Sequence, residues 1–132
     1  MDFLGCYAQT EIGHGSNVSG LLTTATFDQK TDEFVINTPC IEATKWWPGD
    51  MGRMANVALV FAQLLIPDDD GNINKYGIVP FVVPVRCLKT HKHLPGVKSG
   101  DHGGPGNKWG FNSKDNGWMT FDHVRIPREN LL

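Results

Sequence analysis

The chain has 132 residues, of which 40% are hydrophobic and 20% charged, and this is the size and composition of one globular domain rather than of a disordered tail. A net charge of −2 argues against nucleic acid or an anionic membrane as the main partner, and the longest apolar run, 57–66, is too short to span a bilayer. The 15 glycines and 8 prolines require many turns, which favours short strands over long helices.

The first strand-like runs along the chain form a predicted hairpin. The runs 23–27 and 33–37 flank a polar turn at 28–32, and two such runs joined by a short polar loop are typical of a hairpin. In the second run Phe34 and Ile36 fall on one face, which is the alternation of a strand with one side in the core.

Two longer runs follow, and each raises a question about its place in a sheet. The run 55–66 suits a buried helix or a buried strand, because periodicity alone does not separate the two. We interpret it as a strand, since it contains β-branched residues and Pro67 follows at once. The run 78–85 is a clearer strand. Pro80 and Pro84 lack an N–H on the same side, which predicts an edge position or a neighbouring bulge.

The last part of the chain combines a glycine-rich stretch with a final strand. The composition of 95–110 favours a loop, and the turn at 115–117 precedes an alternating run, 118–126, that Pro127 ends. In total, six strand-like runs and no helix predict an all-β domain, a β-barrel of two packed, mainly antiparallel sheets.

One polar loop near the start has residue types suited to binding a ligand. Gln9 and Thr10 lead into a turn with two glycines, and Ser16 follows. Glycines let a backbone approach a ligand closely, and the amides and hydroxyls beside them can bind ring oxygens or phosphate. An ordinary loop with no ligand has the same composition.

A pair of adjacent tryptophans, Trp46 and Trp47, stands on a predicted strand. Neighbouring side chains of a strand point to opposite faces, so at most one of the two should stay in the core. The other would meet a second protein surface or a flat ligand.

Histidines and acidic residues do not predict a metal site. The spacing of the nearest possible zinc ligands fits no usual zinc pattern; these are Cys87, His91, His93 and His102. The acidic turn at 68–70 lacks the spacing of a calcium-binding loop and is interpreted as a solvated hairpin tip.

Taken together, five stretches resemble the acyl-CoA oxidase and acyl-CoA dehydrogenase family, and the oxidases most closely. They occur in the family's order and are spread over nearly the whole chain, from residue 5 to residue 128: 5–17, 23–28, 44–49, 115–117 and 121–128. The resemblance implies that residues 1–132 are the family's middle β-barrel domain. It also leads us to expect a longer enzyme, in which helical domains flank this one on both sides.

The resemblance implies a flavoenzyme that uses FAD. Such an enzyme desaturates fatty acyl-CoA to trans-2-enoyl-CoA, because FAD takes a hydride from the β-carbon while a base removes the α-proton. In the oxidases, molecular oxygen then reoxidises the flavin and gives hydrogen peroxide. The family also implies a peroxisomal location and a homodimer. Its catalytic glutamate lies on the C-terminal helical domain, so this chain should hold no catalytic residue and should be inactive alone.

The same resemblance assigns binding roles to five residues. Gln9 and Thr10 would line the flavin ring, where a hydroxyl and amides stabilise negative charge on the reduced ring. Trp47 and Gly49 would border the ring from the neighbouring strand, and Ser16 would contact substrate or a cofactor phosphate.

Two departures from the family pattern matter. The dehydrogenases usually have Trp-Ile-Thr or Trp-Ile-Ser after the lysine, whereas this chain has the sequence Trp-Trp-Pro-Gly at 46–49, which favours an oxidase. The oxidases usually have Gly-Asp-Ile-Gly in a later loop, where this chain has His102 in place of the isoleucine. Two alternatives stay open: an acyl-CoA dehydrogenase that passes electrons to another flavoprotein, and a non-catalytic barrel used only for interaction.

Overall fold

The computed structural model describes residues 3–103 and 108–132. Within these ranges it has nine strands and four single turns of 3-10 helix, which confirms the predicted all-β class. The strands are β1 (Gly5–Ala8), β2 (Thr24–Asp28), β3 (Glu33–Asn37), β4 (Lys45–Gly49), β5 (Val57–Pro67), β6 (Ile73–Pro84), β7 (Val97–Asp101), β8 (Asn116–Phe121) and β9 (Val124–Pro127). No helix in the described ranges is long and apolar enough to cross a membrane.

Six strands form a larger sheet, in the order β1-β5-β2-β3-β9 with β6 on the other edge of β5. Both β1 and β2 pair in parallel with successive parts of β5, and the remaining pairs of this sheet are antiparallel. The larger sheet curls into a half-barrel, and a smaller antiparallel sheet has the order β4-β8-β7. The prediction of two mainly antiparallel sheets is confirmed.

The predicted hairpin is confirmed, because β2 and β3 pair antiparallel with Phe27 opposite Phe34. Phe34 and Ile36 are buried, as the alternation predicts, and the ring of Phe34 packs 5.0 Å from that of Phe81 on β6. Side chains from the smaller sheet, among them Phe121, complete the same core. One hydrophobic core therefore joins the two sheets.

The ambiguous run 55–66 forms strand β5, and β6 lies at an edge beside a bulge, as its prolines predict. Among the described strands, β6 pairs only with β5, and their register shifts between Gln63 and Leu65. On its outer side, the carbonyl of Pro80 accepts a hydrogen bond from the N–H of Leu132 at 3.2 Å. A proline on this edge therefore removes no hydrogen bond from the β5–β6 ladder.

The prediction of one strand over 118–126 is wrong. The chain leaves the smaller sheet after β8 and enters the larger sheet as β9, with His123 at a φ of 50° between them. The buried side changes at this break, because Met119 and Phe121 are buried before it and Val124 and Ile126 after it. A left-handed residue bends the chain so that both strands keep an apolar face on the same core.

The prediction of a loop over 95–110 is also wrong in its first part, where β7 pairs with β8. Gly100 stands opposite Trp118, and a Cβ at Gly100 would lie 2.8 Å from the indole Nε1. This glycine therefore makes room for a ring on the neighbouring strand and is not a loop residue. The rest of the predicted loop includes residues 104–107, which lie outside the described residues.

We expect Gly117→Ala to lower the free energy of unfolding by about 1–3 kcal/mol, the usual effect of overpacking. A Cβ at Gly117 would overlap the backbone of Gly52 and lie 2.7 Å from the carbonyl oxygen of Gly100. Urea unfolding of the 132-residue chain measures the change. Gly110→Ala is the control, because its Cβ would meet nothing within 4 Å. Equal stability of the two variants would contradict this packing.

Candidate functional site

The structure places four of the five predicted binding residues on two adjacent chain segments. The segment that continues β1 runs beside β4: the N–H of Trp46 donates to the carbonyl of Thr10, and the N–H of Ile12 donates to that of Thr44, both at 3.0 Å. Gln9 and Thr10 thus stand next to the strand that carries Trp47 and Gly49. The sequence separates these pairs widely, and the pairing of the two segments brings them together.

The Thr10 hydroxyl is engaged within the site. It donates to the carbonyl oxygen of Trp46 at 2.5 Å, which fixes the side chain beside β4. A hydroxyl has one proton and two lone pairs, so Thr10 keeps acceptor capacity and can rotate its proton towards a ligand. The neighbouring Gln9 is half-buried, and its carbonyl accepts a hydrogen bond from the Lys45 ammonium at 3.0 Å.

Neither Trp46 nor Trp47 lies in the core, which agrees with the prediction that at most one of them does. Trp46 is 38% exposed and Trp47 is 47% exposed, so neither is a core residue. Trp47 has a φ of 83°, which departs from the regular strand conformation. The register of β4 against β8 shifts at the same point, between Trp46 and Gly49.

Two side chains hold the Trp47 peptide in this conformation. The N–H of Trp47 donates to Nε2 of His102 at 3.0 Å, and the Nδ2 amide of Asn116 donates to the Trp47 carbonyl at 2.8 Å. The His102 ring also packs against the ring of Trp46, with centroids 3.9 Å apart, and lies 5.6 Å from that of Trp47. The sequence indicated His102 as a departure from the family pattern and as a zinc ligand that the spacing excludes, and its contact with Trp47 is visible only in the fold.

Gly49 is half-buried beside Lys114, whereas Ser16 is exposed. A Cβ at Gly49 would meet the Lys114 side chain at 2.5 Å from Cε, which is the flexible end of a side chain and not backbone. Lys114 is itself paired with the carboxylate of Asp50 at 2.7 Å. Ser16 lies in an exposed turn beyond Thr10, where its carbonyl accepts from the N–H of Val18 at 3.1 Å. Ser16 thus lies on the turn and not on the two paired segments that carry the other four residues.

A buried ion pair lies directly beneath the site and was not predicted from the sequence. The ammonium of Lys45 is 3.1 Å from the Glu11 carboxylate, and both side chains are fully buried. Lys45 also donates to the carbonyl of Phe61 at 2.7 Å. Glu11 accepts from the N–H of Leu22 at 2.8 Å and from the N–H and hydroxyl of Thr23 at 2.9 and 2.6 Å. Because each charge has several partners, the pair can stay ionised in the core.

The two members of this pair titrate differently from their free forms. Burial raises the pKa of Glu11, but the Lys45 charge and the hydrogen bonds from Leu22 and Thr23 outweigh it, so the pKa lies below the usual 4.5. Burial lowers the pKa of Lys45 to about 8, and attraction to Glu11 opposes that fall. The Glu11 carboxylate is therefore held in its charged form in the folded chain.

We expect Glu11 to make the chain sensitive to acid. Because its pKa is lower in the folded chain than in the unfolded one, its contribution to stability is full above pH 4.5 and is lost as the pH falls below that value. When the pH is lowered from neutral to acid, the free energy of unfolding of Glu11→Gln should therefore fall less than that of the unsubstituted chain. Urea unfolding of both chains at each pH measures this. An identical loss in the two would show that other carboxylates carry the acid sensitivity.

A cavity of about 600 Å³ opens beside Trp46 and Trp118, on the outer face of the smaller sheet. Trp46, Trp118 and His102 line one side of it, and Lys98 and Asp122 add charged groups. In the described ranges, no cluster of three or more His, Cys, Asp or Glu side chains could hold a metal ion.

Comparison with known proteins agrees with this architecture. A family model described as acyl-CoA dehydrogenase, middle domain, matches residues 6–124. Peroxisomal acyl-coenzyme A oxidase 1 of Arabidopsis thaliana is 53% identical over 132 residues, which is 100% of this chain and 19% of that protein. Peroxisomal acyl-coenzyme A oxidase 1 of Rattus norvegicus is 48% identical, also over 100% of this chain and 19% of its own length.

Solved structures show the same fold at similar identity. The structure of Arabidopsis thaliana acyl-CoA oxidase 1 matches with a TM-score of 0.91 and 52% identity, over 100% of this chain and 19% of that one. Acyl-CoA oxidase-1 of Caenorhabditis elegans complexed with FAD and ATP matches with a TM-score of 0.90 and 49% identity, over 99% of this chain and 19% of that one. The chain thus spans about a fifth of the length of the relatives it matches.

Proposed function

We propose a function for this chain from one established point, which is that it belongs to the acyl-CoA dehydrogenase middle-domain family. The chain forms the flavin-binding middle domain of an FAD-dependent acyl-CoA oxidase. The full-length enzyme desaturates fatty acyl-CoA to trans-2-enoyl-CoA in the peroxisome and produces hydrogen peroxide. The observation that carries this proposal is the exposed Trp47 edge, which stands beside Thr10 in a chain 53% identical to an acyl-coenzyme A oxidase.

The residues at this edge fit a flavin ring. An exposed indole offers a flat apolar surface, and the Thr10 hydroxyl and Gln9 offer hydrogen-bonding groups beside it. A bound FAD would supply the hydride acceptor and the route for electrons to oxygen. The chain's own residues would position the ring: Trp47 would cover it, Gly49 would leave room for it, and Thr10 would stabilise negative charge along its edge.

Parts outside this chain supply the rest of the enzyme. The matched relatives are about five times longer, and we propose helical domains on both sides of residues 1–132, with the catalytic base on the C-terminal one. Ser16, in its exposed turn, contacts the substrate or a cofactor phosphate. The full-length protein is a homodimer whose partners are fatty acyl-CoA and molecular oxygen.

We expect Gly49→Val to weaken FAD binding by the full-length protein by about tenfold or more, since a side chain here takes the space needed for close backbone approach. Flavin absorbance in a titration with FAD measures the affinity. Gly110→Val is the matched control, because a Cβ there meets nothing within 4 Å. Equal FAD affinity in the two variants would place the flavin elsewhere.

The reaction itself is tested by product analysis of the full-length protein with FAD, a fatty acyl-CoA and air. An oxidase should form one molecule of hydrogen peroxide for each molecule of 2-enoyl-CoA. The second candidate, an acyl-CoA dehydrogenase, predicts enoyl-CoA only when an external electron acceptor is added. The Trp-Trp-Pro-Gly sequence at 46–49 favours the oxidase.

A further inference from the structure

We propose that His102 and Asn116 form a clamp on the Trp47 peptide and thereby position the flavin-bordering segment of the site. His102 is a positioning residue in this proposal, since it acts on the flavin site through Trp47. The proposal rests on the function given above, and it adds a role for a histidine that stands where the family pattern has isoleucine.

The clamp holds a peptide that would not keep its conformation unaided. Trp47 has a φ of 83°, in the left-handed region that a bulky residue adopts only when its surroundings hold it there. His102 accepts from its N–H at 3.0 Å, and Asn116 donates to its carbonyl at 2.8 Å. Both polar groups of a residue that has left the regular strand ladder are thus satisfied by side chains.

The two residues of the clamp, His102 and Asn116, are also hydrogen-bonded to each other. The backbone N–H of His102 donates to the carbonyl of Asn116 at 3.3 Å, just beyond the last paired residues of β7 and β8. The smaller sheet therefore fixes the positions of both residues. Rigid strands place side chains more accurately than loops do, which suits a positioning role.

The chemistry of the clamp requires a neutral imidazole. A backbone N–H can only donate, so Nε2 of His102 is the acceptor and the proton of the neutral ring is on Nδ1. The nearby charges are Asp101 and Lys108, whose side chains lie 3.6 Å apart. Burial and the Lys108 charge lower the pKa of His102, against the opposing effect of Asp101, so the neutral form prevails. The isoleucine of the family pattern offers no acceptor at this place.

The clamp also shapes the face that Trp47 presents. The His102 ring packs edge-on against Trp46 and tilted against Trp47, and Phe111 approaches Trp47 from another side at 6.0 Å. Loss of the acceptor would free the peptide to return to a regular strand conformation. The Trp47 ring would then turn towards the other face of β4, away from its present place beside the site.

The test uses the full-length protein and three variants: His102→Leu, His102→Gln and the control His123→Asn. Glutamine keeps an acceptor at the reach of Nε2, and His123→Asn removes an exposed histidine at a left-handed position that asparagine tolerates. FAD affinity is measured by titration, and the near-ultraviolet circular dichroism of tryptophan is recorded without FAD. A Trp47→Phe variant identifies the contribution of Trp47 to that signal.

We expect His102→Leu to weaken FAD binding about tenfold, because the Trp47 N–H is left without the acceptor that holds the peptide in place. It should also lose the Trp47 contribution to the dichroism, whereas His102→Gln and His123→Asn should keep both properties. Unchanged affinity and dichroism in His102→Leu would overturn the proposal. If His102→Leu does not fold, Asn116→Ala removes the other residue of the clamp and should lower the FAD affinity and the Trp47 dichroism in the same way. No change in either property would overturn the proposal.

Failure of the clamp and failure of the proposed function give different results. If neither the unsubstituted protein nor any variant binds FAD, the flavin function is contradicted. The dichroism of tryptophan then tests the clamp by itself. A protein that binds FAD equally well with histidine or leucine at 102 keeps the function and loses the clamp.

Discussion

Replacement of Lys45 by methionine should lower the free energy of unfolding of the chain by about 3–5 kcal/mol, because removal of one partner leaves a buried charge uncompensated. The Glu11 carboxylate would lose its cation, which lies 3.1 Å away, and both side chains are fully buried. The carbonyls of Gln9 and Phe61 would also lose the ammonium that donates to them. Urea unfolding of the 132-residue chain at neutral pH measures the effect.

A double replacement separates the charge from the packing. Lys45→Met with Glu11→Gln removes both charges and keeps an acceptor for the Thr23 hydroxyl, so it should recover much of the lost stability. Arg125→Met is a control of similar size, since Arg125 is an exposed cation that pairs with Glu33 at 2.9 Å on the surface. If Lys45→Met costs no more than Arg125→Met, the buried pair does not hold the site segments together.

The Thr10→Val variant of the full-length protein should slow reduction of bound FAD by fatty acyl-CoA about 10–100-fold, since a hydrogen bond to a charged acceptor contributes roughly 1.5–3 kcal/mol. Valine has nearly the same shape as threonine and removes only the hydroxyl that the site presents beside Trp46. The loss should appear in the rate of reduction more than in FAD affinity, because negative charge develops on the ring during the reaction. Anaerobic stopped-flow absorbance measures that rate.

Thr26→Val is the matched control for this experiment. Thr26 lies on β2 in the larger sheet, is half-buried and has no place among the site residues. Its replacement should leave the reduction rate unchanged. A Thr10→Val protein that reduces its flavin as fast as Thr26→Val would show that the Thr10 hydroxyl does not act on the ring.

Local patterns predicted the parts of the fold that depend on neighbours in sequence. The hairpin β2–β3 is marked by two alternating runs around a polar turn, and the edge position of β6 follows from its prolines. The change of sheet at His123 was not predictable, because a single left-handed residue can continue an apparent alternation while it reverses the buried face. The sequence did not predict β7, because Gly100 makes room for the Trp118 ring on the neighbouring strand and that contact has no signal in the sequence.

The site residues likewise fall into two groups, those that the sequence indicates and those that only the fold shows. The resemblance located Gln9, Thr10, Trp47 and Gly49, and the structure brings these four together on paired segments. The Lys45–Glu11 pair and the His102 contact depend on residues 34 and 55 positions apart, so only the fold shows them. Strand alternation does not predict the left-handed conformation of Trp47, which two side chains distant in sequence, His102 and Asn116, hold in place.

The most direct test of the oxidase function follows the flavin of the full-length protein through one cycle. The protein is loaded with FAD, mixed with a fatty acyl-CoA in the absence of oxygen, and observed by visible absorbance before air is admitted. We expect the absorbance to bleach and then to recover rapidly in air, with hydrogen peroxide formed in equal amount to the flavin reoxidised. Bleaching that persists in air would assign the chain to a dehydrogenase, and a protein that takes up no FAD would contradict a flavin-binding function altogether.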